Sequence, residues 1–169
     1  MTIALQALAE HHIPAVLDAC SDWQELARYG PPYWRPRSSA ELHRKIADTA
    51  GPQPATAYTF VLATENRLVG EASIHTIDWR NLHAQVGICI WRSEDRRHGY
   101  GKAGADWVIT WATDHLGLCR LEAWILEDNA ASLELFGKLG FVREGTLRKR
   151  YLCNGQYVDV HVMAYIISK

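Results

Sequence analysis

No apolar stretch in this 169-residue chain approaches the roughly 20 residues a membrane-spanning helix requires. The longest unbroken runs, such as Val86 to Trp91, are only six residues. An excess of one charge is also missing. Lysine and arginine number 18 against 19 acidic residues, for a formal net charge of −1. No whole-molecule field therefore points to nucleic acid or a membrane surface as partner. The N-terminus has no basic start ahead of an apolar block, so no secretory signal is expected. Only four cysteines occur, Cys20, Cys89, Cys119 and Cys153, scattered and without a C-x-x-C pair. That favours reduced, mostly buried thiols in a cytoplasmic protein over a disulfide framework. Repeats, low-complexity tracts and linkers are absent too, so residues 1–169 are read as one domain.

What is present is ordinary globular composition, 48% hydrophobic and 22% charged, enough for a single buried core. Thr2 to Leu8 alternates as a strand, and Pro14 opens a helix carrying Val16, Leu17, Cys20 and Trp23. Turn residues then cluster at Gly30-Pro31-Pro32, Pro36 and Gly51-Pro52-Gln53-Pro54, around a short helix capped by Ser38 or Ser39. Tyr58 to Ala63 and Arg67 to His75 form a hairpin, and Ala84 to Trp91 reads as a central strand buried on both faces. A helix with Ala105, Ile109, Ala112 and Leu116 on one side ends at Gly117. A strand from Cys119 to Leu126 and a helix from Asn129 to Leu139 follow. Two strands around Asn154-Gly155, a type I′ signal, close the chain. The order is that of a mixed α/β (α+β) sheet rather than a regular βαβ repeat.

The most informative residues are Arg96-x-x-Gly99-x-Gly101, placed after the buried strand and opening a helix. Glycines let a ligand approach the backbone, and first-turn N–H groups have no intrahelical acceptor. With the helix dipole they make an anion site, which Arg97, His98 and Lys102 supplement. A plain glycine-hinged connection accounts for the pattern equally well on its own. Gly99-x-Gly101-x-x-Gly104 has the glycine spacing of the dinucleotide fingerprint, but the strands before it read as hairpins rather than a parallel βαβ unit, and no G-K-[ST] completes a P-loop. A second element is Asn129-Ala130-Ala131-Ser132 at the start of a helix, with Asn129 and Ser132 sharing one face. Simple capping by Asn129 is the structural alternative.

Together, Gly87-Ile88-Cys89-Ile90, Arg96 to Ala103 and Asn129 to Phe141 resemble the GNAT superfamily of N-acetyltransferases. The closing Asn154 to Met163 and the early Gly30-Pro31-Pro32-Tyr33-Trp34 look like its ribosomal-protein-alanine acetyltransferase branch. The motifs are specific for the superfamily and uninformative about the substrate. The resemblance implies a mostly antiparallel, twisted sheet flanked by helices, with acetyl-CoA held between two splayed central strands. It implies that backbone groups of Ile88, Cys89 and Ile90 pair with the pantetheine arm. It places the diphosphate on the loop formed by Arg96, Arg97, His98, Gly99, Tyr100, Gly101 and Lys102. Asn129 and Ser132 then meet the pantetheine and the sulfur, and Phe136 packs on the cofactor. The implied reaction is direct attack of an amine, either a small molecule or a protein N-terminus, on the thioester. A backbone amide near Ile90 is the expected oxyanion donor. No metal is required, and a homodimer is left open.

Two departures bear on catalysis. Phe136 stands where many relatives carry a tyrosine acid, and Gln85 where many carry a glutamate base. Ser132 is therefore the expected hydroxyl donor to the departing thiolate, with Tyr151 second and water relaying the amine's proton. The same departures motivate a rival reading, an acyl-CoA-binding module with little turnover. Tyr33, Trp34 and Gln85 are assigned to the acceptor side. Glu71 and Glu122 are minor candidates for the base. His11-His12 reads as a solvated pair, and His75, His83, His98 and His161 show no ligand pattern. Trp107 and Trp111 read as buried or partly buried helix residues. A two-residue hairpin turn puts Arg150 opposite Asp159, predicting a cross-strand ion pair. Arg96-Arg97-His98 and Arg148-Lys149-Arg150 are better explained by phosphate binding and a solvated strand edge than by nucleic acid.

Overall fold

A computed structural model of the chain describes residues 3–51 and 54–167. Thr2 and Pro52-Gln53, which fall in the first expected strand and in a turn cluster, lie outside them. Four strands, β1 (Ala4–Ala7), β2 (Tyr58–Ala63), β3 (Leu68–Asp78) and β4 (His83–Ile90), pair antiparallel in sequence order. The other half holds β5 (Arg120–Leu126), β6 (Val142–Cys153) and β7 (Gln156–Ile166), with β7 antiparallel to both of its neighbours. The halves join through a parallel contact of β4 with β5, giving the order β1-β2-β3-β4-β5-β7-β6.

Helices cover both faces. On one side α1 (Ile13–Ala19), α2 (Trp23–Leu26) and α3 (Ser39–Ala50) bury Val16, Leu26 and Leu42 against Val61, Cys89 and Trp91. On the other, α4 (Tyr100–Asp114) and α5 (Ala130–Lys138) bury Val108, Ala112 and Phe136 against Leu62, Ile74 and Ala123. The central strand is thus covered on two sides, as its apolar run predicts. The helix expected to reach Trp23 instead stops at Cys20. Asp22 accepts the Glu25 amide at 3.1 Å and caps a new helix, a side-chain bond that competes with continuing the old one. Gly117 has the positive φ of 68° expected after α4. Trp111 is half-buried, but Trp107 is 39% exposed and stacks on it from the outer surface of α4.

At the β6–β7 turn Asn154 and Gly155 both have positive φ, as a type I′ turn requires. The predicted Arg150–Asp159 pair does not form. Between Leu147↔Val160 and Tyr151↔Val158 the longer strand bulges, so Asp159 instead accepts the Lys149 amide at 2.7 Å. Arg150 lies over the rings of Trp124 and Tyr151, 5.4 and 5.6 Å from their centroids. Of the two histidines near the N-terminus, His11 is exposed as expected and His12 is not. His12 is buried, taking the Ala9 amide on Nδ1 and facing Gln6 Oε1 with Nε2, each at 3.1 Å. No helix among the described residues is long and apolar enough to cross a membrane. None of their His, Cys, Asp and Glu side chains form a cluster able to hold a metal ion.

Candidate active site

The site begins where the sheet comes apart. β4 and β5 pair only at His83↔Arg120, Ala84↔Leu121 and Gln85↔Glu122, and beyond Gln85 they diverge. The Trp91 amide donates to the Val69 carbonyl at 3.1 Å, which sets the phase of the β3–β4 ladder. In an antiparallel ladder alternate residues exchange bonds with one neighbour, so Gln85, Gly87 and Cys89 are committed to β3. Val86, Ile88 and Ile90 turn their backbone groups into the opening. Cys89 therefore offers no main-chain group to a ligand there, a correction to the sequence reading, and Val86 does. The Ile90 carbonyl is taken by Arg96 Nε at 3.2 Å, leaving the Ile90 N–H. A cavity of about 1240 Å³ fills this opening and is lined from both faces of the sheet.

At its upper end lies the glycine loop. Arg97 and Gly99 have positive φ of 65° and 84°, and Gly99 caps α4. Ala103 is the first residue of the helix to bond backward, to the Gly99 carbonyl at 3.0 Å. The amides of Gly101 and Lys102 are thus left for a ligand, with the helix dipole behind them. Arg96 differs from expectation. Its guanidinium makes a bidentate pair with Glu25 at 2.7 and 2.9 Å and donates to the Trp91 carbonyl at 2.8 Å. It braces the loop against α2 and β4 instead of offering charge to a phosphate. Of the other expected loop residues, Arg97, Gly99, Gly101 and Lys102 line the cavity. The side chain of Tyr100 packs in the core, and His98 is exposed and stacks on Tyr100.

From the α5 side come Asn129, Ser132 and Phe136, all on the cavity wall. Asn129 Oδ1 accepts the Ser132 amide at 3.1 Å, so the capping alternative holds, and its Nδ2 is left over for a ligand. The Ser132 hydroxyl and that of Tyr151, also on the wall, have no partner among the described residues. Phe136 is buried edge-on against Phe141.

The α3 side holds a buried polar network. Glu71 accepts from the Tyr33 hydroxyl at 2.8 Å, and Arg37 Nη1 lies 3.4 Å and Lys45 Nζ 3.5 Å from it. Burial alone would raise the Glu71 pKa, but Lys45, Arg37 and the Tyr33 hydroxyl hold it below the usual carboxylate value. Glu71 is therefore a weak base. Glu122 accepts from Arg120 Nε and Trp124 Nε1, both at 2.9 Å, which also removes it as a base. Tyr33 and Gln85 reach the cavity, but Trp34 does not. Its ring meets Tyr151 edge-on at 4.9 Å and lines a separate pocket of about 250 Å³. Burial pushes the Cys89 thiol up to about 12, so it stays protonated. Tyr29, Lys45, His75 and Trp124, none of which the sequence reading placed there, complete the wall. For His75 the available signal was the β3–β4 register, which sets it opposite Gln85.

An opening between strands, free helix-start amides and unpaired strand edges together fit coenzyme A, whose pantetheine is amide-rich and whose diphosphate is anionic. Comparison with known proteins agrees. The family model for the acetyltransferase (GNAT) domain matches residues 2–142. The uncharacterized N-acetyltransferase p20 of Bacillus licheniformis is 22% identical over 151 residues, covering 87% of this chain and 84% of that protein. The L-amino acid N-acetyltransferase AaaT of Escherichia coli (strain K12) is 35% identical over 87 residues, covering 52% of this chain and 53% of that protein, about half of each. The solved RimL ribosomal L7/L12 alpha-N-protein acetyltransferase in complex with coenzyme A superposes with a TM-score of 0.88. It is 22% identical and covers 99% of this chain and 95% of that one. At that identity the likeness establishes the fold, a mixed sheet splayed between β4 and β5. The family match establishes the rest: this chain belongs to the acetyltransferase (GNAT) domain family and is an N-acetyltransferase that uses acetyl-CoA as its donor.

Proposed function

We propose that the chain acetylates a primary amine, on a small molecule or a protein N-terminus, by direct attack with both substrates bound at once. The observation that carries this reading is the cavity itself, lined from both faces of the sheet and meeting at the β4–β5 vertex. A donor entering from the α4–α5 face and an acceptor from the α3 face arrive at the same point. Acetyl-CoA, when bound, supplies an acyl group already activated as a thioester. The amides of Gly101 and Lys102 hold its diphosphate, and Ile88 and Val86 align the pantetheine as if it were a strand. The Ile90 N–H is placed to donate to the carbonyl oxygen as charge develops on it. Ser132 donates its hydroxyl proton toward the departing sulfur, with Tyr151 also on the wall. Most of the rate gain comes from holding the two reactants in register, so the loss of a tyrosine at Phe136 does not remove activity.

The acceptor half carries both signs of charge, with Lys45, Asp48 and Glu71 all on its wall. That composition suits a small zwitterion or a peptide N-terminus better than a polycation. The relatives named above acetylate acceptors of both kinds by name, and the choice between them is the open variable. The test is acceptor-dependent release of the coenzyme A thiol across a panel of amino acids, simple amines, polyamines and short peptides. Release with at least one primary amine is expected. Binding of coenzyme A without thiol release for any acceptor establishes instead a binding module without turnover.

A further inference from the structure

Deprotonating the acceptor is the step for which the family's usual glutamate position offers only Gln85. Another neutral group on the wall is then needed as the base. At the vertex, Gln85 pairs across the ladder with His75 on β3, so both side chains project from the same face. His75 lines the cavity. Its Nδ1 lies 3.2 Å from the Thr76 hydroxyl, while Nε2 has no partner among the described residues. Nε2 lies 3.8 Å from where a side chain on Gly87 would begin, so it leans from Gln85 toward the opening.

We propose that His75 is the proton acceptor of the transfer: Nε2, set beside Gly87 at the vertex of the splayed strands, takes a proton from the acceptor's ammonium. This rests on reading the site as an amine acetyltransferase. The freed lone pair forms the N–C bond, the C–S bond breaks with its electrons on sulfur, and a second amine proton ends on that sulfur through Ser132. The proton on His75 passes to solvent, so one amide, one thiol and one proton leave for each ammonium and thioester consumed.

Other groups around the imidazole do not compete for this role. Lys45 and Asp48 approach from α3, Glu71 from β3, Gln85 from β4, Glu122 from β5 and Tyr151 from the hairpin. Lys45 is cationic, and Glu71 and Glu122 are held by the partners given above. Burial, and then repulsion from Lys45, lower the His75 pKa below the ordinary 6.5, so the ring is neutral at pH 7 and its lone pair is available. For Nε2 to carry that lone pair, Nδ1 must hold the hydrogen and donate to the Thr76 hydroxyl.

Two measurements decide the matter. Nitrogen NMR of the unaltered enzyme reads the tautomer directly. A hydrogen on Nδ1, with a titration midpoint below 6.5, is expected. A hydrogen on Nε2, or a midpoint above that value, overturns the proposal. His75→Gln is expected to lower kcat at least about 100-fold, to abolish the acidic limb of its pH profile, and to leave coenzyme A affinity by calorimetry unchanged. A variant within twofold of the unaltered kcat with the same acidic limb overturns it. If the unaltered enzyme turns over no acceptor, the functional reading fails and this proposal falls with it. Turnover that survives the variant refutes His75 alone.

Discussion

Glu71 is held ionised by its neighbours, and that shapes how its replacement should behave. Its folded pKa lies below the ordinary 4.5, so its pairing stabilises the protein above that value. The contribution is lost as pH falls through the lower, folded pKa. Glu71→Gln leaves the Arg37 guanidinium, whose side chain is 1% exposed, without its carboxylate partner from β3. We expect a loss of about 3–5 kcal/mol in urea unfolding at pH 7. The gap between variant and unaltered protein should narrow toward acid; a constant gap would show that the carboxylate charge contributes nothing. A different residue-scale test addresses the thiolate donor. Ser132→Ala is expected to lower kcat about 10-fold to 100-fold with the acetyl-CoA KM preserved, and Tyr151→Phe to do less. The reverse order would give Tyr151 the role.

Between elements, the contact that sets the donor channel is α4 against the sheet. Gly104 lies so close that a side chain there would begin 2.7 Å from Leu62 Cδ2 and 3.0 Å from Ile88 Cδ1. Gly104→Val should therefore cost about 1–3 kcal/mol by overpacking. Because Ile88 is one of the displaced neighbours, coenzyme A affinity should fall as well; unchanged affinity by calorimetry would mean the channel tolerates the shift. Gly104 marks a limit of sequence reading, since the third glycine after the loop is visible in the chain but the close helix-on-sheet approach that needs it is not. What could be read was local. The Asn154-Gly155 turn, the Gly99 bend and the capping by Asn129 each follow from residues within a few positions. The rest depended on partners distant in the chain. Arg96 meets Glu25, Trp34 turns toward Tyr151, and the bulge at Lys149 follows from Asp159 reaching its amide. His75 was passed over because it was judged as a metal ligand, when its position is defined by the strand register opposite Gln85.

At the scale of the whole molecule, a net charge of −1 offers no general attraction for an anionic cosubstrate. Capture depends on oriented amides at one helix start and on the two strand edges that the sheet leaves unpaired. Ligand binding at that seam should stabilise the whole fold, because β4 and β5 join its two halves through only three residue pairs. Coenzyme A at 100 times its Kd contributes about 2.7 kcal/mol, which should raise the melting temperature by about 5–10 °C at this chain length. A melting point that ignores coenzyme A would mean that the folded chain does not bind it. The most direct test is a crystal structure of the chain with coenzyme A. The diphosphate should lie within hydrogen-bonding distance of the amides of Gly101 and Lys102, with the pantetheine beside Ile88. Coenzyme A bound elsewhere, with β4 and β5 closed against each other, would contradict the account.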